Sequence, residues 1–154
     1  MKSRMLTVLL FLVFVFSVPL FGQTAAQLEA LFETPALNWE QAAAFVLEAA
    51  ETRGPGLDSF QSGEAFRFAM DEKWLPKGAI PGETARLNGI SLLLMQSFGI
   101  KGGIFYGILK SPHHAYRELV YKKIIPGDTD PDMPVSGQQL LLMVGRILSA
   151  KEQS

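Results

Sequence analysis

The residue types best suited to chemistry are a histidine pair, His113-His114, and a run of alternating carboxylates, "DTDPD" from Asp128 to Asp132. Paired histidines raise the question of a metal. Adjacent side chains on a helix point about 100° apart, whereas two ligands sharing an ion stand three or four residues apart. The pair therefore reads as one packed and one solvated ring at a helix start. The carboxylate run has the alternation of a calcium loop. Its sixth position is Met133 where the loop needs glycine for its turn, and its twelfth is Gln139 where it needs a bidentate glutamate. It reads as a solvated turn, and no metal site is expected.

The glycines of "GIKGGIFYG", Gly99 to Gly107, follow no strand and lack the Lys-Ser/Thr ending of a phosphate loop, which argues against nucleotide binding. Glu64, Asp71, Glu72 and Glu83 are ordinary surface acids, and no nucleophile–base pair can be placed. The chain has no cysteine, which removes disulfides, thiolate zinc sites, a thiol nucleophile and lipid attachment at a leader. The reading is a non-enzymatic protein without a cofactor. An enzyme with an unseen site would need a deep polar pocket holding an acid of shifted titration.

What, then, would position a binding surface? Lys2 and Arg4 precede a nearly unbroken apolar run from Met5 to Phe21, and Gly22 offers a small residue for cleavage. That is the pattern of a secretory signal peptide, residues 1–22. An uncleaved anchor is the alternative, disfavoured because a span needs about 20 apolar residues and Pro19 interrupts the end of this run. The remaining 23–154 carry 12 bases against 15 acids, so no basic stripe points to nucleic acid.

This remainder reads as short helices with clear starts. Asn38 and Ser136 stand three residues before Gln41 and Gln139, the reciprocal spacing of a capping box. Ser111 precedes Pro112, a cap followed by proline in the first turn. Asn88 is expected to start another helix. Ala65 and Ala115, Arg67 and Arg117, Lys73 and Lys123, Pro76 and Pro126, and Pro81 and Pro131 each lie fifty apart. After a two-residue slip, Asn88-Gly89 matches Ser136-Gly137, and "LLLM" at Leu92 follows the pattern of "LLLM" at Leu140. "ALNWEQAAAF" at Ala36 aligns with "RLNGISLLLM" at Arg86, again fifty apart, with Ala25 to Phe32 as a candidate first helix.

The expected fold is all-α: a small helical bundle of three helix–loop–helix units, about 23–51, 62–98 and 111–149, the first shortened. The second helices are apolar nearly all round and need one another for burial. Between units, Ile104 to Leu109 reads as a short element closing the bundle, with an exposed docking edge at Ile104, Phe105 and Tyr106 as the alternative.

"HHAYRELVYKKIIPGDTDPDMPVSGQQLLLMVGRIL" resembles an S-layer homology repeat. His113, His114, Ala115 and Tyr116 occupy its opening, Ile124-Ile125 its apolar pair, Gly127 its loop, and Pro134-Val135 the lead into its second helix. Ser136 and Gln139 stand where that family has Thr and Glu of a Thr-Arg-Ala-Glu motif. The likeness covers most of 23–154 and is weaker in the earlier units. It implies a module of the periplasm or cell envelope whose partner is a cell-wall polymer linked to peptidoglycan. The motif arginine, which in the family helps grip anionic glycan, is replaced by Trp39, Gly89 and Gly137. Other cations must then grip, with Arg86, Arg117 and Lys122 as candidates. The alternative is an interaction subunit that keeps the bundle without glycan binding and takes another envelope protein as partner.

Overall fold

The structure, a computed structural model, describes residues 20–51 and 62–153. Among them are seven α-helices and no named strand: α1 Leu20–Glu33, α2 Trp39–Ala49, α3 Ser62–Asp71, α4 Leu87–Ser97, α5 Ile104–Leu109, α6 Pro112–Tyr121 and α7 Gly137–Glu152. The all-α class holds. The chain divides after Leu31 into two compact units, and helices α2 to α7 belong to the second, residues 32–154. Residues 1–19 of the expected signal segment and the turn-rich linker 52–61 lie outside the described residues. The expected cleavage point at Gly22 falls within α1.

The centre of the fold is a closed ring of backbone hydrogen bonds. Leu37 N–H donates to the Val135 carbonyl at 2.8 Å, Val135 N–H to Ala85 at 3.2 Å, and Ala85 N–H back to Leu37 at 2.8 Å. All three residues are fully buried. Each stands immediately before the cap of α2, α4 or α7. A second ring surrounds the first. The opening amides of those helices, at Trp39, Leu87 and Gly137, donate to the carbonyls of Glu83, Met133 and Thr34 at 3.2, 3.0 and 2.9 Å. The first amides of a helix have no partner within it. Here each is satisfied by the segment leading into another helix of the set. The amides of six buried residues are thus paired with carbonyls, and leaving one orphaned would cost about 1–3 kcal/mol.

These crossings fix which residues are equivalent, and they correct the expected register. Asn38, Arg86 and Ser136 are the three caps. The first two are 48 residues apart and the last two 50, the reverse of the order inferred from the sequence. Asn88 does not start α4. It lies one residue inside the helix, where its side-chain amide donates to Asp132 Oδ1 at 2.9 Å. Capping boxes close at Asn38–Gln41 and Ser136–Gln139 as the spacing requires. At α4 the place of the glutamine is taken by Gly89, and Arg86 makes no side-chain cap.

Gly89 explains that exchange. A β-carbon there would lie 2.4 Å from Trp39 Cη2 and 2.7 Å from Pro76 Cγ. The indole of α2 therefore lies directly on the backbone of α4, and Trp39, Leu87 and Gly89 are all buried.

The outer helices pack in sequence, α3 on α2 and α6 on α4. Ala65, Ala69, Ala115 and Leu119 form their fully buried faces. Both end alike, with Lys73 and Lys123 in the left-handed region at φ 60° and 59°. The amides of Trp74 and Ile124 reach back to Ala69 and Leu119 at 2.8 and 2.9 Å, a helix stop of the Schellman kind. The expected helix ends at Lys73 and Lys123 are thus set two residues late.

One expectation about the inner helices holds only in part. Ile90 and Leu92 to Met95 of α4 are all buried. On α7, Leu142 is 55 % exposed, although its counterpart fifty residues earlier, Leu92, is 3 % exposed.

Gly89→Ala should lower stability by about 1–3 kcal/mol through overpacking. Gly145→Ala, at a mid-helix site with open space around it, should raise it by about 0.5–1 kcal/mol. Urea denaturation of the two variants would show midpoints moving in opposite directions.

Candidate functional site

Two clefts occupy equivalent places fifty residues apart. The first, about 670 Å³, lies between the end of α3 and the side of α4, with Glu72, Lys73, Leu92 and Gln96 in its wall. The second, about 510 Å³, lies between the end of α6 and the side of α7, with Lys122, Lys123, Leu142 and Arg146 in the same positions. Where the first cleft has Glu72 and Gln96, the second has Lys122 and Arg146 fifty residues on, so the first is mixed in charge and the second basic. Among the described residues no acid lines the second cleft. The first has a further wall, Leu109 to Pro112 from the junction of α5 and α6. That wall has no counterpart in the second cleft, which is why Leu142 is bare.

Local structure fixes the backbone positions of the two lysines and the side chain of the arginine. Lys122 caps α6, Lys123 is the left-handed stop residue, and Arg146 projects from mid-α7. The Arg146 guanidinium donates to the Ile124 carbonyl at 2.8 Å. That bond fixes the arginine against the turn bearing both lysines, leaving its other N–H groups for an acceptor in the cleft. Apolar Leu141, Leu142 and Ala150 line the same surface.

Of the three cations singled out from the sequence, Lys122 alone lines this cleft. Arg86 is exposed but donates to the Asp132 carbonyl at 2.6 Å, binding the α4 start to the loop before α7. Arg117 is exposed on α6 and lines neither cleft. Arg146 was missed because α7 reads as an oily rod. The correct register, which pairs it with Gln96, is visible only once the caps are aligned.

The residues expected to do no chemistry are used structurally. Asp132 accepts from Asn88, and its amide is held by Asp130 Oδ1 at 2.9 Å. His114 Nδ1 lies 2.7 Å from Ser111 Oγ at the α6 cap, and the rings of His113 and His114 meet edge to face. Among the described residues no three His, Asp or Glu side chains converge to hold a metal.

The segment from Ile104 to Leu109 is the short helix α5, and it turns a strongly apolar face outward. Ile104, Phe105 and Ile108 are 80, 73 and 75 % exposed. Tyr106 does not share that edge, contrary to the expectation that grouped it with Ile104 and Phe105. It is 4 % exposed, because residues two apart on a helix face different ways. Its hydroxyl accepts from Gln96 Nε2 at 2.6 Å, which pins α5 to α4. Gly102 lets the ring pass, since a β-carbon there would lie 2.5 Å from Tyr106 Cδ1. Burial pushes the Tyr106 phenol above its usual range. The Gln96 hydrogen bond opposes this, and the charge of Glu118 adds to it.

No protein-family model, curated protein or solved structure matches the chain.

A raised phenol pKa means that the unfolded chain ionises first. The stability this group confers is therefore intact below about pH 10, where free tyrosine titrates, and falls as pH climbs past it. Tyr106→Phe should lose about 1 kcal/mol at neutral pH, the worth of one hydrogen bond. It should also flatten the fall between pH 9 and 11 (roughly the phenol range), measured by thermal melts at each pH.

Proposed function

We propose that this is an exported, non-catalytic module of the cell envelope, built from degenerate S-layer-homology-like units, which holds an anionic cell-wall polymer in the cleft of Lys122, Lys123 and Arg146. The observation that carries the reading is the convergence of these three cations on a cleft without a lining acid. Carboxylate or ketal-acid groups along a glycan would meet two ammonium groups and a fixed guanidinium. The apolar faces of sugar rings would meet Leu141 and Leu142.

Three helix starts meeting in one hydrogen-bonded ring favour an origin in repeated units. The corrected register moves the place of the family's motif arginine in the middle unit from Gly89 to Leu87, so none of Trp39, Leu87 and Gly137 supplies its charge. In this reading the grip has shifted from the helix starts at the ring to the far end of α6. The basic and apolar residues 2–21, patterned like a secretory leader, support a location outside the cytoplasm, in the periplasm or at the wall.

Sedimentation with purified sacculi that retain their anionic polymers provides the test. The chain from Gln23 onward should pellet with them. Lys122→Glu combined with Arg146→Glu should weaken association at least tenfold, and raising the salt should weaken the unaltered chain similarly. Pelleting that is absent, or indifferent to both charge reversals, would remove the polymer reading.

A further inference from the structure

The outward face of α5 has no part in the cleft just described. Ile104, Phe105, Ile108 and Leu109 follow one another at i, i+1, i+4 and i+5, which sets them along one side of the helix. All four are exposed, Leu109 to 58 %. The opposite side is immobilised by buried Tyr106 and its bond from Gln96. A monomeric protein gains nothing in water from four large apolar groups held rigidly outward, so their display points to a second phase or a partner.

The charges around this face indicate which. Exposed Lys101 and Lys110 flank the helix at either end. Lys73 and Lys77 line the cleft that Leu109 and Lys110 help to close. Of the nearby acids, Glu118 has its Oε1 engaged by the Gly103 amide at 2.8 Å, and Glu72 lies in the same cleft as the lysines. A short apolar knob with an exposed lysine at each end is suited to be an interfacial anchor. Its apolar side chains enter the acyl boundary while the ammonium groups remain among anionic headgroups.

We infer that α5 docks this protein on an anionic lipid surface, with Phe105 and Ile108 inserted and Lys101 and Lys110 on the headgroups. A helix of six residues is far shorter than the roughly 20 needed for a span, so the contact made through α5 is peripheral.

The test uses the chain from Gln23 onward, which removes the apolar leader and keeps the whole compact unit. It is mixed with sonicated vesicles of phosphatidylcholine and phosphatidylglycerol at 3:1, or of phosphatidylcholine alone, and sedimented. Binding to the anionic vesicles is expected, at least tenfold weaker for phosphatidylcholine alone, for Phe105→Asp and for Ile108→Asp. The variants should keep the helical circular dichroism and the sacculus binding of the parent. Lys101→Glu with Lys110→Glu should erase the preference for anionic vesicles. Absence of vesicle binding overturns the inference, as does binding indifferent to Phe105→Asp. A vesicle-free dimer that Phe105→Asp dissociates would also overturn it, by assigning the face to a second copy. The vesicles contain no wall polymer, so this result is independent of the sacculus experiment.

Discussion

The ring through Leu37, Ala85 and Val135 is the constraint on which everything else hangs. Three extended residues, far apart in sequence, exchange amide and carbonyl in a cycle, and no water reaches them. Buried peptide groups must be paired, so none of the three segments can be withdrawn without stranding the other two. The outer ring extends the rule to the helix starts. Trp39, Leu87 and Gly137 lend their free opening amides to carbonyls of the next segment round. Cohesion at the centre therefore comes from backbone geometry, and side chains are released to vary. Gly89 and Trp39 show the release in use: one helix start gives up its capping box and gains an indole on its backbone.

Much of this was legible in the residues. Capping boxes at Asn38 and Ser136 are local chemistry, and local chemistry is what spacing encodes. The stop residues Lys73 and Lys123, fifty apart, adopt the same left-handed turn. The register of the middle segment was not legible. Asn88-Gly89 mimics Ser136-Gly137 in sequence, but the ring selects Arg86 as the cap because Ala85, one residue before it, must reach Leu37 and Val135. A cross-chain hydrogen bond of this kind leaves no mark on side-chain identity. Tyr106 escaped for a similar reason. Its neighbours are equally apolar, and its separation from them depends on a glycine at 102 and a partner at Gln96.

The two clefts show how similar scaffolding diverges. Lys73 and Lys123 enter by the same turn, and Leu92 and Leu142 stand at matched helix positions. The difference lies in two changes of charge and in the presence or absence of a covering segment. Glu72 and Gln96 make one cleft mixed and partly roofed, while Lys122 and Arg146 make the other basic and open. The sequence reading named Lys122 only as one candidate cation beside Arg86 and Arg117. It passed over Arg146, because a single cation on an otherwise greasy helix carries little signal until its neighbour across the turn is known.

A cycle of three also governs how such a protein can grow. In an open stack each added segment finds a free end, and length drifts by accretion. Here Leu37 already answers Val135, which answers Ala85, which answers Leu37, and no unmatched amide is left at the hub to recruit a fourth member. The hub is complete at three segments, so variation falls to the periphery, to whatever α5 and the tips of α6 and α7 present to the outside.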